Sequence, residues 1–443
     1  METILIRTAQ LILSLSILVI VHECGHFFMA KLFKVRVEKF YLFFNPWFTL
    51  FKFKPKGSDT EYGIGWLPLG GYVKISGMID ESMDREAMAQ PPQPWEFRTK
   101  PAWQRLLVMI GGVLMNFILA FFIYAMIVLT WGEKIIPTSS TKLGFSYNEA
   151  VQRFGFQNGD LPVSIDGKPV GNVNVSSIPF ELLTAKEVTV RRNNSEVSIN
   201  LPDNFKNILA DPDSKEPSVL FRYPFVVKQV MNGDAAKKAG LETGDSIVGI
   251  DGQANMDAVE IMNALGEYKD KEIALSFYRN GHLMETQITP NSSGKIGVGV
   301  ASPFDVYETI DKRYNFFGAF PAGVRIGWET MSNYVKSLSL IFTKDGAKSL
   351  GGFGAIASIF PEKWNWGDFW NMTAFLSIIL GVMNLLPIPA LDGGHVLFLL
   401  YEVVSGRKPN EKFMEYAQVA GMFFLIALLL YANGNDVFRT FFK

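Results

Sequence analysis

The sequence predicts a polytopic α-helical membrane protein of about four transmembrane helices, interrupted by a polar insert. Long apolar runs lie near both ends of the 443-residue chain, and a polar stretch separates them at about residues 137–302. Apolar runs of this length are typical of membrane-spanning helices. The net charge of −1 gives no support for nucleic-acid binding, and a single cysteine, Cys24, excludes an intrachain disulfide framework.

The first predicted span, about residues 4–32, contains a His-Glu-x-x-His motif. On a helix His22 and His26 lie about 40° apart around the axis and one turn apart along it, so both imidazoles can reach one Zn²⁺. Glu23, about 100° round the axis, can reach a water on that ion and act as a general base. Cys24 points about 200° away from His22 and is predicted to be a packing residue rather than a ligand.

A chance match of this motif on a buried helix is the alternative. The chain has only four histidines, which makes a random pair at this spacing with an intervening glutamate improbable. Ionisable groups inside a membrane span are also costly, and they are typically functional. The motif therefore predicts a catalytic metal site.

The charges that flank the apolar runs predict the topology. Basic residues follow the first span, among them Lys31, Lys34 and Arg36, so this loop is predicted to be cytoplasmic and the N-terminus extracytoplasmic. The second span, about residues 106–131, then crosses outward. Within it, Gly111-Gly112 predicts a close helix approach, and Asn116 is predicted to be a hydrogen-bonded packing residue.

The stretch at residues 62–74 is apolar but too short and too rich in Gly and Pro to span a membrane. Its alternation predicts extended strands. Two interpretations remain: a re-entrant β-loop that lies beside the metal helix, or an ordinary cytoplasmic hairpin. Extended backbone at membrane depth has to be buried in protein or line a cavity, because lipid offers its N–H and C=O groups no partner. Residues 80–94 are predicted to form a solvated loop.

The insert contains an internal repeat. Residues 155–167 align without gaps to residues 240–252, at a constant offset of 85, which predicts two copies of one small domain. Strands predicted at residues 225–230 and 273–279 and a helix at 257–265 indicate an α+β fold. In the first copy, Pro162 removes a backbone donor from the corresponding strand.

The region after the insert is predicted to return to the membrane. Residues 324–342 form a predicted amphipathic helix at the outer membrane–water boundary, and a Gly-rich apolar stretch follows at residues 350–360. The third span, about residues 369–400, is broken in its middle by prolines and glycines, which predicts unwound backbone around a protein-lined cavity. Asp392 and His395 both lie there as candidates for a third metal ligand, and their spacing does not decide between them.

A short fourth span is predicted at about residues 416–432. Arg407, Lys408 and Lys412 mark a cytoplasmic loop before it, so the C-terminus is predicted to be extracytoplasmic like the N-terminus. The metal motif then lies towards the cytoplasmic side of the membrane.

Three features together resemble the site-2 protease family of intramembrane zinc metalloproteases, in its RseP-type branch. They are the His-Glu-x-x-His motif of the first span, the pattern Asn384-x-x-Pro-x-Pro-x-Leu-Asp392-Gly-Gly in a later span, and the two copies in the insert, whose Gly-Asp-x-Ile-x-x-Ile-Asp-Gly signature resembles a circularly permuted bacterial PDZ domain. The resemblance divides the chain at residues 1–34 (first span), 35–100 (cytoplasmic loop and β-loop), 101–132 (second span), 137–218 and 219–303 (PDZ domains), 304–368 (interfacial helix and Gly-rich connector), 369–404 (third span) and 412–433 (fourth span).

The resemblance also implies roles for individual residues. It implies that Asp392 is the third ligand of the zinc ion, that residues 62–74 are the membrane-embedded β-loop, and that Asn384 contacts substrate. Gly70, Gly71 and Tyr72 of the β-loop are implied substrate-binding residues. The tandem PDZ domains are implied to be an extracytoplasmic gate, although for the first copy a plain spacer and a peptide binder remain alternatives.

The implied activity is regulated intramembrane proteolysis in the bacterial inner membrane. Expected partners are the lipid bilayer and single-span substrates, namely anti-sigma factors after a first cleavage and signal-peptide remnants, with peptide segments at the PDZ domains; no nucleic acid is expected. Two other functions compete with this one: a catalytically silent membrane-anchored PDZ scaffold, and a zinc enzyme that acts on lipid or prenylated substrates.

Overall fold

A computed structural model describes residues 2–68, 70–78, 90–209, 218–231, 233–341 and 351–442. The chain divides into two compact units, each described by itself below. The membrane unit comprises the described residues of 1–132, 313–335 and 350–443, and the insert unit comprises those of 133–312 and 336–349.

The membrane unit begins with two long helices, α1 (Glu2–Leu32) and α2 (Ala102–Thr130), which pack closely against each other. A Cβ atom placed on Gly111 of α2 would lie 2.7 Å from the carbonyl oxygen of Gly25 in α1, so no larger residue fits at this crossing. The close approach predicted from the paired glycines of the second span is therefore present. A 3₁₀ turn at Phe97–Thr99 precedes α2.

A four-stranded sheet lies between these helices in the chain. Its strands are β1 (Val37–Leu42), β2 (Phe44–Phe53), β3 (Glu61–Leu67) and β4 (Tyr72–Ile75), in the spatial order β2-β3-β1-β4. Strand β1 is parallel to β3 and antiparallel to β4, and β2 is antiparallel to β3. The strands predicted at residues 62–74 are β3 and β4, whereas β1 and β2 occupy a stretch that is predicted to be a loop. Residues 80–89 of the predicted loop lie outside the described residues.

The first half of the insert unit contains two small sheets. In chain order its elements are β5 (Glu133–Ile135), a 3₁₀ turn (Thr138–Ser140), β6 (Phe145–Tyr147), α3 (Glu149–Gln152), β7 (Leu161–Ile165), β8 (Lys168–Pro169), a 3₁₀ turn (Val175–Ser177), α4 (Ile178–Leu182), β9 (Glu187–Arg192), β10 (Ser195–Asn200), α5 (Phe205–Leu209) and β11 (Val219–Phe221). The sheets have the orders β10-β9-β7-β8 and β11-β6. Pro162 does not abolish its strand; the pairing of β7 with β9 shifts register between Pro162 and Ser164 instead.

The second half contains one five-stranded sheet of order β15-β14-β13-β12-β16. Its elements are β12 (Phe225–Val230), α6 (Ala235–Lys238), β13 (Ser246–Ile250), α7 (Ala258–Glu267), β14 (Ile273–Arg279), β15 (His282–Ile288) and β16 (Val298–Val300). The predicted strands 225–230 and 273–279 match β12 and β14, and Asp257 is the N-cap of α7. After α8 (Pro303–Val306), β17 (Ile310–Lys312) pairs with β5, so the two ends of the insert lie side by side.

The two halves repeat the same buried ion pair, as the 85-residue offset predicts. Asp160 accepts hydrogen bonds from the guanidinium of Arg192 and from the backbone N–H of Gln157. Asp245 accepts the equivalent bonds from Arg279 and from the backbone N–H of Glu242. Each half also has its own core of buried apolar side chains. The repeat is therefore a structural duplication.

The chain then continues as α9 (Phe316–Ile341), α10 (Phe353–Ser358), α11 (Trp366–Leu385), α12 (Asp392–Ser405) and α13 (Glu411–Phe442). Helix α9 begins eight residues before the predicted amphipathic helix, whose last residue, Phe342, lies outside the described residues, as does Leu350. Gly323 of α9 packs against Ala125 of α2, and Gly327 packs against Phe121, so α9 runs antiparallel to the C-terminal half of α2. Its predicted position at the outer membrane–water boundary stays a prediction.

Four helices among the described residues are long and apolar enough to cross a membrane: α1, α2, α11 and most of α13. The fourth predicted span, residues 416–432, lies within α13, which extends over 32 residues, and its length stays a prediction. The third predicted span is broken as expected. Helix α11 ends at Leu385, and α12 begins at Asp392 after a turn in which Ala390 has a φ of 78°. Helix α2 packs against α1, α11 and α12 and so forms the centre of the unit.

Candidate metal centre

Three buried or half-buried side chains converge where α1, α2 and α12 meet. His22 and His26 lie on successive turns of α1 and are 8% and 7% exposed. Asp392, the first residue of α12, directs its carboxylate towards both rings. Its Oδ2 atom lies 3.1 Å from His22 Nε2 and 3.4 Å from His26 Nε2, and the two Nε2 atoms are 3.2 Å apart. Among the described residues, this is the group of histidine, cysteine and acidic side chains whose ligand atoms are close enough to hold a metal ion.

These distances fit a tetrahedral zinc ion. Zn–N and Zn–O bonds of about 2.0–2.1 Å place neighbouring ligand atoms of a tetrahedron about 3.3 Å apart. The three observed separations, 3.1, 3.2 and 3.4 Å, match that edge length. Asp392 Oδ2 is moreover buried without a hydrogen-bond partner among the described residues, which a cation would supply. Two imidazole nitrogens and one carboxylate oxygen are also the donor set of many catalytic zinc sites, which leave a fourth position open.

Helix α2 contacts the Nδ1 atom of both imidazole rings, on the side opposite the Nε2 atoms. His26 Nδ1 lies 2.9 Å from the carbonyl oxygen of Val108, which fixes the tautomer with the proton on Nδ1 and the lone pair on Nε2. His22 Nδ1 lies 3.1 Å from the carboxamide of Asn116. The sequence predicts Asn116 as a hydrogen-bonded packing residue, and no sequence pattern connects it with the metal motif. The available signal was a lone amide in an otherwise apolar span.

Gly112 lies between Val108 and Asn116 on α2, and because it has no side chain it leaves room for the two imidazole rings. A Cβ atom on Gly112 would lie 2.8 Å from Cε1 and 2.9 Å from Nε2 of His22, and it would also contact Nε2 of His26. The residue therefore has to be a glycine for the two Nε2 atoms to keep their positions. Val108, Gly112 and Asn116 are spaced by four residues each and so share one face of α2.

The candidate base, Glu23, lies beside the same group. Its carboxylate interacts electrostatically with His26, His22 and Asp392, and it lies beside the backbone N–H of Val73 in β4. The edge strand of the sheet is thus tied to the helix that carries the metal motif. This contact places β4 beside the candidate site, and both interpretations of residues 62–74, a re-entrant β-loop and a cytoplasmic hairpin, stay predictions.

The implied substrate-binding residues of the β-loop lie at the start of β4. A Cβ atom on Gly71 would lie 2.7 Å from Val19 of α1 and 2.7 Å from the carbonyl oxygen of Tyr41, so β4 approaches the metal helix closely at this point. Gly70 precedes it with a φ of 149°. The ring of Tyr72 stacks on Tyr41, and its hydroxyl donates to Asn45, so this side chain also supports the sheet itself.

Other candidates lie apart from the metal group. His395, the alternative third ligand, has its Nε2 atom 2.5 Å from the carboxamide nitrogen of Gln418 on α13 and does not join His22 and His26. Cys24 is half-buried and also stands outside the group, in agreement with its predicted packing role. Asn384 is half-buried in the last turn of α11, just before the break that leads to Asp392.

Comparison with known proteins points to one family. The profile of peptidase family M50 matches residues 10–428. The chain is 29% identical to the "Putative zinc metalloprotease" of Vibrio cholerae, over 99% of this chain and 100% of that protein. It is 28% identical to the regulator of sigma-E protease RseP of Salmonella typhimurium, over 99% of this chain and 100% of the relative, and 28% identical to that of Escherichia coli K12, over 97% and 98%.

Proposed function

Since this chain belongs to peptidase family M50, it is an intramembrane metalloprotease, and we propose that it holds one Zn²⁺ between His22, His26 and Asp392 to cleave single-span membrane proteins. The observation that carries this proposal is the convergence of three ligand atoms, 3.1–3.4 Å apart, from His22, His26 and Asp392. The two histidines lie on α1, a helix that is long and apolar enough to cross a membrane. The Vibrio relative's name, which includes zinc, supports the choice of metal.

The metal ligands and Glu23 have different roles in hydrolysis. When bound, a zinc ion supplies Lewis-acid chemistry that polarises the scissile carbonyl and acidifies water. Glu23 takes a proton from the attacking water as the new C–O bond forms. It then delivers this proton to the amide nitrogen as the C–N bond breaks, so that the amine leaves neutral. The position of Glu23 one residue after His22 supports this role, because its carboxylate faces the group that the ligands form.

Strand β4 is the proposed docking site for the substrate backbone. A peptide bond inside a transmembrane helix is shielded by its own hydrogen bonds, so the substrate has to unwind, and its exposed backbone groups then need partners. Addition of the unwound segment to the sheet at β4 would supply them. The terminal position of β4 in the sheet and its close approach to α1 at Gly71 support this role for Gly70, Gly71 and Tyr72. Asn384, before the break in the third span, is proposed as a further substrate contact.

The topology and the partners are proposed on the same basis. The basic residues after α1 support a cytoplasmic first loop, with both termini and the insert on the outer side of a bacterial inner membrane. The two copies in the insert are proposed to be PDZ domains that gate access by size or bind peptide segments. Two relatives are named "Regulator of sigma-E protease RseP", which supports anti-sigma factors as substrates after a first cleavage; signal-peptide remnants are proposed as a second group.

The test compares wild type with Glu23→Gln on a single-span reporter in cells. We expect the variant to keep its zinc and to leave the reporter uncut, because the ligands remain while the proton acceptor is lost. Cys24→Ala, on the next residue of the same helix, is the matched control and should cut normally. A reporter that stays intact with wild type under every truncation of its outer domain would favour the silent PDZ scaffold instead.

A further inference from the structure

Asn116 is fully buried at the centre of the membrane unit, and its carboxamide contacts a candidate metal ligand. Its Nδ2 atom lies 3.1 Å from His22 Nδ1, and its Oδ1 atom is buried with no donor near it among the described residues. The backbone carbonyl of Asn116 is held separately, because Ser377 Oγ of α11 donates to it at 2.7 Å. Asn116 is thus fixed on one side by α11 and faces His22 on the other.

The protonation of the His22 ring determines whether the oxygen or the nitrogen of the Asn116 carboxamide faces it. A neutral imidazole that binds a metal through Nε2 carries its proton on Nδ1, so Nδ1 is a donor. An amide nitrogen opposite Nδ1 would place two donors against each other. Turning the Asn116 carboxamide by 180° exchanges its oxygen and its nitrogen within the same space. Oδ1 then accepts from Nδ1–H, and Nδ2 takes the position around which no donor lies.

The Nδ1 partner of His26 can be compared with that of His22. Its Nδ1 lies 2.9 Å from the carbonyl oxygen of Val108, which is an acceptor only and therefore fixes that tautomer without ambiguity. Val108 and Asn116 are eight residues apart on the same face of α2, with Gly112 between them. Each ring therefore points Nε2 towards the shared group and Nδ1 towards a polar group of α2.

We propose that Asn116 is a positioning residue for the metal centre, whose Oδ1 accepts the Nδ1–H of His22 and so holds the Nε2 lone pair towards Asp392 and His26. This inference rests on the proposed zinc site and adds to it a side-chain partner from α2. Partners of this kind orient ligand rings and raise their basicity, and their removal commonly weakens metal affinity about 10- to 100-fold.

The experiment measures metal affinity rather than proteolysis. Metal-free full-length protein in detergent is titrated with Co²⁺, whose visible absorption reports tetrahedral ligation, and Zn²⁺ competition then gives the zinc affinity. The variants are Asn116→Leu, Asn116→Asp and Ser377→Ala, with Asn116→Ala added because leucine can disturb packing. Each variant is first required to elute as a single species.

We expect Asn116→Leu and Asn116→Ala to bind zinc about 10- to 100-fold more weakly than wild type. Asn116→Asp should retain wild-type affinity, because its carboxylate still accepts from Nδ1–H, and Ser377→Ala should also be unchanged. A packing role predicts the reverse order, since leucine suits an apolar interior better than a buried carboxylate does. Equal affinities for the leucine variant and wild type, or equal losses for leucine and aspartate, would overturn the proposal. Absence of Co²⁺ binding in wild type would overturn the zinc site itself.

Discussion

At the residue scale, the site depends on the separate partners of the two nitrogens in each imidazole ring. His22 and His26 turn their Nε2 atoms towards Asp392, while their Nδ1 atoms contact α2. A bare His-Glu-x-x-His helix would leave those rings to rotate. The neighbouring helix therefore contributes orientation, and it contributes space through Gly112.

Gly112→Ala is predicted to abolish stoichiometric zinc binding. The added methyl group would lie 2.9 Å from His22 Nε2 and still closer to His26 Nε2, so the rings have to turn away from their ligand positions. Metal analysis of purified protein in detergent measures the effect. Gly434→Ala on α13 is the control, because an added Cβ there meets nothing within 4 Å. Full zinc content in Gly112→Ala would contradict the assigned geometry.

Residue types in the sequence identify His22, Glu23 and His26 but not their partners. Asp392 and His395 are equivalent candidates by spacing, because both follow an unwound segment whose path local patterns do not determine. Only the fold separates them, by placing Asp392 at the first residue of α12 and His395 against Gln418. The contact of Asn116 with His22 joins residues 94 positions apart, beyond the reach of helical periodicity.

At the element scale, the four-stranded sheet brings an edge strand to the metal helix. Strand β4 packs on α1 at Gly71 and Val19, and the backbone N–H of Val73 lies beside Glu23. At the other edge, β2 contains Pro46, which is tolerated there because an edge strand leaves some N–H groups unpaired. Its side chains include Trp47, which is 90% exposed. Apolar side chains on both faces, with no alternation, explain why β2 was not predicted as a strand.

Gly71→Val is predicted to slow cleavage of a single-span reporter while zinc content stays at one per chain. Its side chain would push β4 away from Val19 and Tyr41, one turn before the metal motif, without touching the ligands. Parallel measurements of reporter cleavage and bound zinc check this, again with Gly434→Ala as the control. Loss of zinc in Gly71→Val would show that β4 supports the ligands rather than the substrate.

The buried ion pairs of the insert allow a matched test of its duplication. Burial alone would raise the pKa of Asp245, but the guanidinium of Arg279 and the Glu242 N–H lower it overall. Asp245→Asn is predicted to destabilise the second half by about 1.5–3 kcal/mol, the range for hydrogen bonds to charged groups. Hydrogen exchange of the full-length protein should show faster exchange in β13 and β14, whereas Asp160→Asn should affect β7 and β9. Identical exchange patterns in both variants would contradict two separate cores.

The same pair predicts a pH dependence for the second half of the insert. Because the pKa of Asp245 is lower in the folded protein, its stabilising contribution is complete above the unfolded value of about 3.9 and is lost as the pH falls through the folded value. Exchange protection in β13 and β14 is therefore expected to persist at pH 5 and to decline below about pH 4. In Asp245→Asn the decline in exchange protection below about pH 4 should be smaller than in wild type. An equal decline in both proteins would assign the acid sensitivity to other groups.

At the scale of the whole molecule, the chain joins a membrane unit that holds the candidate chemistry to an insert whose ends are paired. Strands β5 and β17 align Glu133 with Lys312, so the insert leaves and rejoins the rest of the chain at neighbouring points. The apolar runs and the 85-residue repeat were sufficient to predict this division, because both are long-range compositional signals. The sequence does not predict how far α13 extends, because polar residues follow its apolar part.

Removal of residues 137–307, with a short Gly/Ser linker in their place, is predicted to leave zinc binding intact and to relax substrate selection. The paired strands β5 and β17 keep the junction closed, and the proposed gate is absent. Reporters that retain a folded outer domain should then be cut, although wild type leaves them intact. The same deletion carrying Glu23→Gln is the control. Continued rejection of such reporters would place selection within the membrane unit.

The most direct measurement is the zinc content of the purified protein beside that of Asp392→Ala and His395→Ala. We expect one zinc ion per chain in wild type and in His395→Ala, and a loss of that ion in Asp392→Ala, because Asp392, unlike His395, lies within 3.4 Å of both Nε2 atoms. Wild-type protein without zinc, or zinc retained by Asp392→Ala and lost by His395→Ala, would contradict it.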